Sequence, residues 1–363
     1  MLTHELQPVF QQYLASLYRA SVRIVSIQEL GAKEARDQKS FGYGKPYRIT
    51  FELGREIQSI VLETMSQNPF GHDHFSDRAQ SLLWHHSAAN KLPDHVRTID
   101  VGAFTSDNQI VSLGKAQEFF IVTHFVEGQE YSNDLARIFS SERLEPLDES
   151  RAVALARYLA RIHRTRLDAP HLYLRRIRDL LGHGECIMGL IDNYPVGDPV
   201  ATPARLQKIE ELCLEWRWRI KSKHHRLCQV HGDFHPWNVL FHEGTRFTVL
   251  DRSRGEWGEP ADDVSSMTMN FLFFSLQKHG CLKGSFEKLY NEFWSAYLQE
   301  TGDIEMFGVI QPFFAWRGLV LATPVWYPRL SLTLRESIFR FIERILTLEN
   351  FLPDEVNQYL EKG

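Results

Sequence analysis

Along residues 22–30 (VRIVSIQEL), 47–53 (YRITFEL) and 58–65 (QSIVLETM), apolar and polar positions alternate in short runs rich in β-branched and aromatic residues. Such a period of two marks half-buried strands. Glycine and polar residues separate the runs: Gly42-Tyr43-Gly44-Lys45-Pro46 before the second, Gly54-Arg55-Glu56 before the third. The pattern predicts strand, long loop, strand, tight turn, strand, an antiparallel meander. From Ser76 to about Lys91 the period becomes helical, opened by Ser76-Asp77, whose side chains suit the free N–H groups of a helix start. The run 118–126 (EFFIVTHFV) then predicts a buried strand ending at Glu127-Gly128.

After Gly128 helical periods dominate. Residues 150–165 place Val153, Ala156, Leu159, Ala160 and His163 on one face, and 206–220 predicts another helix. Strand character returns only around 228–251, where Leu227-Cys228-Gln229-Val230 and Phe247-Thr248-Val249-Leu250 bracket something short and polar. From Asp262 the chain is helical nearly to its end, interrupted at Thr323-Pro324 and Tyr327-Pro328. The expectation is an α+β chain: a small β-rich N-terminal lobe, a linking strand, and a larger helical lobe carrying one hairpin. His163, on an apolar helix face, reads as a satisfied core residue. Gly71-His72-Asp73-His74 reads as a helix lead-in, because two close histidines without further ligands make a poor zinc site.

Composition narrows the class. At ~100–200 residues per domain, 363 residues suit two or three domains or one enzyme of two lobes. Forty-one Lys and Arg against 46 Asp and Glu give a net −5, which argues against a nucleic-acid or anionic-membrane binder. Cys186, Cys213, Cys228 and Cys281 form no CxxC pair, so neither a structural zinc site nor a disulfide framework is expected. The first residues lack a signal-peptide pattern, and the most apolar stretch, 271–274, falls far short of the ~18 residues of a membrane span. A cytoplasmic protein is expected; its oligomeric state is open.

The chemistry concentrates in His231-Gly232-Asp233-Phe234-His235-Pro236-Trp237-Asn238, followed by a strand ending in Asp251. Phosphoryl transfer needs a carboxylate to orient an attacking hydroxyl and accept its proton, and oxygen ligands to hold Mg²⁺ against nucleotide phosphates. A loop with Asp233 near the reacting oxygen and Asn238 near the metal, and with Asp251 on the neighbouring strand, supplies these parts.

On these residues the sequence resembles the aminoglycoside phosphotransferase family, within the protein-kinase-like fold that includes choline kinase-like enzymes. The H-G-D-x-x-x-x-N loop matches at His231, Gly232, Asp233 and Asn238, and Asp251 matches the metal-binding Asp. Gly258-Glu259-Pro260-Ala261-Asp262-Asp263-Val264 resembles the segment whose structural Asp, here Asp263, braces the catalytic loop. Val122-Thr123-His124-Phe125-Val126-Glu127-Gly128 resembles the adenine-gripping hinge, which implies the His124 carbonyl and Val126 N–H as adenine contacts. The resemblance implies a two-lobed kinase-like fold, with residues 1–126 as the nucleotide-binding lobe and 127–363 carrying the catalytic loop, metal site and acceptor pocket. It implies a phosphotransferase using Mg²⁺ and ATP or GTP on a hydroxyl of a small molecule. Asp233 is then the base, Asn238 and Asp251 the metal ligands, and His235 a candidate contact to the transferring phosphate.

The sequence also departs from the family pattern. Glu63 stands where a phosphate-holding Lys is expected, and Asp77 or Gln80 is the nearest candidate for its helical partner. Arg252, Arg254 and Lys45 are candidate replacements for that cation, with Arg252 favoured as nearest Asp251, on the premise of an extended segment. Glu259 replaces an Asp before Pro260. Trp316-Arg317 and Val325-Trp326-Tyr327-Pro328-Arg329 lie where the acceptor pocket is expected; no dense acidic run suits a polycationic drug. A regulatory, pseudokinase-like nucleotide binder is the alternative that Glu63 raises. A two-metal phosphoesterase is a further rival, suggested by Asp233-Phe234-His235 and residues 72–74.

Overall fold

The alternating runs near the start become a sheet. The structure, a computed structural model, describes residues 7–30, 43–44 and 46–361 and is α+β. The chain divides into two compact units, Met1–Thr123 and His124–Gly363.

The first unit contains α1 (Gln7–Tyr18), β1 (Val22–Glu29), β2 (Tyr47–Leu53), β3 (Glu56–Leu62), α2 (Phe75–Ala89), β4 (Gly102–Phe104) and β5 (Ile110–Ser112). Strands β1, β2 and β3 form the antiparallel meander, with Val22 opposite Leu53 and Tyr47 opposite Leu62. The two-residue turn between β2 and β3 begins at Gly54, whose φ of +64° suits glycine. One sheet face buries Val22, Ile24, Ile49 and Phe51 together with Phe10 and Leu14 of α1. Residues 71–74 do lead into a helix: the His74 N–H donates to Asp77 Oδ2 at 2.7 Å just ahead of α2. Lys45 lies outside the described residues.

The expected buried strand at 118–126 is not formed. Residues 116–128 are irregular, and Phe120, Ile121, Val122 and Phe125 are 82–89% exposed. A β-branched and aromatic run becomes strand only where a neighbour offers a ladder; the nearby hairpin, β4–β5, pairs only within itself.

The second unit begins with β6 (Gln129–Glu130), α3 (Tyr131–Ser141), α4 (Pro146–His163), α5 (Pro170–Gly182), α6 (Ile187–Asp192) and α7 (Pro203–Ile220). It continues through β7 (Cys228–Gln229), β8 (Val239–Phe241), β9 (Phe247–Val249) and β10 (Trp257–Gly258) to α8 (Pro260–His279), α9 (Gly284–Thr301), α10 (Gln311–Ala322) and α11 (Leu332–Leu346). The expected hairpin is β8–β9, and β6 extends it. The earlier strand, β7, is not part of it; it pairs antiparallel with β10, Gln229 opposite Trp257. The polar segment is therefore held at both ends by different ladders.

Helix α8 runs through the core, buried on all sides from Pro260 to Phe273; its buried Ser265, Thr268 and Asn270 donate to carbonyls of the helix itself. Helix α4 begins with Pro146 at its first turn and Asp148 capping the Glu145 N–H at 2.8 Å. It buries Leu155, Ala156, Leu159, Ala160 and His163. Among the described residues no helix is long and apolar enough to cross a membrane.

Candidate active site

The loop from Val230 to Asn238 leaves β7 and enters β8 through a single 3₁₀ turn, Pro236–Asn238. Gly232 has φ +87°, and a Cβ there would lie 3.2 Å from Arg254 Cβ. Glycine is therefore the residue that lets the chain reverse under Arg254.

Asp263, in the first turn of α8, fastens this reversal. Its Oδ2 accepts from the His231 N–H at 2.7 Å and its Oδ1 from the Gly232 N–H at 2.8 Å. His163 Nε2 lies 3.1 Å from Oδ2, while His163 Nδ1 meets Tyr297 Oη at 2.9 Å. His163 is thus a satisfied core residue that links α4, α8 and α9. Burial acts to raise the Asp263 carboxyl pKa, but His163 and the His231 side chain and N–H outweigh it and hold it below the usual range. Helix α8 is aimed by Glu259 just before it: fully buried, it accepts from Arg226 at 2.7–3.0 Å, from Tyr173 Oη at 2.9 Å and from the Ala261 N–H at 3.3 Å. The longer Glu side chain serves as a cap and an Arg partner at once.

Asp233 is nearly buried. Arg317 Nη1 donates to its Oδ1 at 2.7 Å, while Arg254 Nε and His235 Nε2 stand 3.5 and 3.6 Å from its Oδ2. Burial would raise its carboxyl pKa; His235, Arg317 and Arg254 overturn this and hold it well below the usual carboxylate range. The group is an ionised, oriented acceptor at any ordinary pH. The His235 ring meets the Trp237 N–H at Nδ1 (3.2 Å) and turns Nε2 toward Asp233 and Asn238.

Asn238 donates Nδ2 to the Asp233 carbonyl oxygen at 3.0 Å, with His235 Nε2 3.2 Å away. Among the described residues its Oδ1 takes no hydrogen bond. The Asn238 carbonyl accepts the Leu250 N–H at 2.8 Å, so β8 and β9 bring Asn238 beside the chain that carries Asp251. Asp251 adopts φ +53°, and its Oδ1 accepts the Ser253 N–H at 3.1 Å. Asx side chains tolerate this left-handed conformation because they bond locally.

That conformation corrects the premise for Arg252. With Asp251 at φ +53° and Gly255 at +91°, residues 251–255 form a turn rather than an extended segment, and alternation does not apply. Arg252 donates to the Val230 carbonyl at 2.9–3.1 Å and the Glu256 carbonyl at 3.3 Å, bracing β7. Arg254 is the residue turned to Asp233; it also lies 3.4 Å from Glu185 and 4.9 Å over the Trp316 ring. His124 is exposed and Val126 half-buried in the irregular stretch. Glu63 is exposed just past β3.

Three residues beside Asp233 were missed as parts of its surroundings: Arg317, Asp262 and Arg176. Arg317 Nη2 reaches Asp262 Oδ1 at 2.7 Å and the Gly232 carbonyl at 3.2 Å, and Arg176 takes Asp262 Oδ2 and, at 3.0 Å, the Arg254 carbonyl. Arg317 stands 84 positions from Asp233 in sequence, a separation that no local pattern bridges. The doubled acid Asp262-Asp263 was the available signal.

The loop, the hairpin and the Asp263 brace all lie within one segment that a family profile recognises. The family profile described as the phosphotransferase enzyme family (APH) matches residues 95–303, more than half of the chain, and the chain belongs to that family. No curated protein sequence matches it. Among solved structures, the amicoumacin kinase hAmiN in complex with AMP-PNP, Ca²⁺ and Ami is 14% identical, with a TM-score of 0.39 over 95% of this chain and 96% of that one. The choline kinase LicA from Streptococcus pneumoniae is 12% identical, with a TM-score of 0.34 over 94% and 99%. A glucosamine kinase in complex with glucosamine, ADP and inorganic phosphate is 14% identical, with a TM-score of 0.35 over 63% of this chain. The match spans only 56% of that kinase's length.

Proposed function

We propose that this chain transfers the terminal phosphate of ATP or GTP to a hydroxyl of a small molecule, with Mg²⁺, on a two-lobed kinase-like fold. Residues 1–126 form the nucleotide-binding lobe and 127–363 carry the catalytic loop. The observation that carries the reading is Asp233, held ionised and oriented in a loop fastened by Asp263. A carboxylate so held orients an acceptor hydroxyl and takes its proton late, which suits a loose transition state that asks mainly for positioning.

The donor set fits Mg²⁺. Asn238 Oδ1 takes no hydrogen bond from a described residue, and Asp251 keeps one carboxylate oxygen beyond its bond to Ser253. Among the described residues no group of three His, Cys, Asp or Glu could hold a metal. Two hard oxygens completed by phosphates and water are what a nucleotide-bound Mg²⁺ takes, rather than a protein cage. The bound ion would neutralise phosphate charge. Arg254, beside Asp233, is the better-placed cation to approach the transferring phosphate; His235 turns Nε2 toward the same point. The His124 carbonyl and Val126 N–H remain the proposed adenine contacts, and Lys45 the proposed contact from the glycine-containing loop.

The test is ADP release from Mg²⁺-ATP and Mg²⁺-GTP, screened with sugars, amino alcohols and aminoglycosides as acceptors. Acceptor-dependent, Mg²⁺-dependent ADP release is expected. Nucleotide binding with no turnover across the panel would favour the regulatory alternative that Glu63 raises.

A further inference from the structure

Asp233 has two oxygens, and the surrounding residues treat them differently. Oδ1 takes a short bond from Arg317 at 2.7 Å, whereas among the described residues Oδ2 has only Arg254 and His235 at 3.5 and 3.6 Å. Arg317 is itself buried, at 6% exposure, and rests on the Trp316 ring at 3.8 Å. Its second fork nitrogen, Nη2, is tied to Asp262 Oδ1 and the Gly232 carbonyl. Asp262 is fully buried, and Arg176 holds its other oxygen.

We propose that Arg317 is the positioning residue of Asp233: it pins Oδ1 and leaves Oδ2 as the oxygen that meets the acceptor hydroxyl. This rests on the reading of Asp233 as the group that orients that hydroxyl. The arrangement demands an arginine. A planar fork spans two carboxylates and a carbonyl at fixed angles, so the nitrogen that meets Asp233 Oδ1 is placed by α10 and, through Asp262, by the start of α8. A lysine ammonium is a point charge on a flexible stem and fixes no such position. Helix α10 begins at Gln311, beyond residue 303, where the family match ends. The reacting carboxylate would thus be aligned by a helix outside the matched segment.

A purely structural Arg317, neutralising two buried acids, makes a different prediction from a positioning one. Arg317→Lys keeps the charge and loses the fork. With ADP release from Mg²⁺-ATP as the assay, run with water alone and with the acceptor panel, kcat is expected to fall about a hundredfold, as misplacing a reacting group by about 1 Å does. The KM for Mg²⁺-ATP should stay within about threefold, and the variant should melt lower but as a folded protein, since its ammonium cannot serve both buried carboxylates. A folded Arg317→Lys with kcat within about threefold of the wild type would overturn the inference, as would one whose whole loss lies in KM for Mg²⁺-ATP. Should Arg317→Lys fail to fold, Arg317→Gln, which keeps a hydrogen-bond donor and removes the charge, is judged by the same split. Asp233→Asn separates the two claims. An active Asp233→Asn removes the base assignment and this inference with it, whereas an inactive Asp233→Asn beside an unimpaired Arg317→Lys removes only this inference.

Discussion

Replacing Asp263 by Asn exchanges one oxygen for an NH₂ and removes the charge. In the wild type the carboxylate serves three donors, the His231 N–H at 2.7 Å, the Gly232 N–H at 2.8 Å and His163 Nε2 at 3.1 Å. The amide keeps one oxygen and so one of the two backbone N–H groups. The imidazole can present its lone pair to the new NH₂, because Tyr297 Oη, at 2.9 Å from its other nitrogen, either donates or accepts. One buried N–H is left facing an NH₂. A lost charged hydrogen bond and an orphaned buried donor together cost about 2–4 kcal/mol, a large part of a typical total of about 5–15 kcal/mol. Urea unfolding should show a lower midpoint with an unchanged slope, and turnover should fall because the loop carrying Asp233 is released. The pH dependence has a definite sign. A carboxyl whose folded pKa is depressed contributes stability that is complete above its unfolded value of about 3.9 and is lost as pH falls through the folded value. The wild type should lose this contribution below about pH 4, and Asp263→Asn should lack that limb of the profile. A stability change below about 1 kcal/mol with unchanged turnover would refute the role of Asp263 as the brace.

Other substitutions probe the rest of the site. Asp233→Asn should abolish turnover while nucleotide affinity holds, since Arg317 keeps its anchors on Asp262 and the Gly232 carbonyl; turnover within tenfold of the wild type would remove Asp233 as the base. Asp251→Ala should lose Mg²⁺-dependent ATP binding in calorimetry, and Asp251→Gly should lose it equally while being about 1 kcal/mol more stable than the Ala variant, because φ is +53° there. Equal stability of the two would contradict the strain argument. Gly232→Ala should destabilise by about 1–3 kcal/mol and depress turnover, through φ +87° and the 3.2 Å approach to Arg254 Cβ; a variant as stable and active as the wild type would show that the loop has slack.

What was legible in the sequence depended on how local its cause was. The meander β1–β2–β3 announced itself through alternation and Gly54, and α4 and α7 through helical spacing. The loop 231–238 stood out in the sequence because its spacing of Asp and Asn is the one phosphoryl transfer asks for. Asp263 was legible through its place in the 258–264 segment, and the acid beside it, Asp262, was the one local signal of the cluster, whereas Arg317 and Arg176 reach it through packing of distant helices and leave no local trace. The run 118–126 failed for the complementary reason: its propensity was real, but strand formation is a property of neighbours. Arg252 was favoured over Arg254 on the premise of an extended segment, which fails because Asp251 turns the chain through a left-handed residue that no local pattern announces.

The double clasp of Asp263 on the His231 and Gly232 amides carries a consequence for how the molecule breathes. Surface loops exchange their amide hydrogens quickly because they open alone, at little free-energy cost. These two amides close onto a carboxylate of α8, which is bound in turn to His163 of α4 and through it to Tyr297 of α9. Deuterium can reach them only when the loop parts from this helix-anchored carboxylate. The His231 and Gly232 amides should therefore exchange far more slowly than those of an open surface loop, and heating should silence catalysis close to the melting of the helical core rather than well ahead of it.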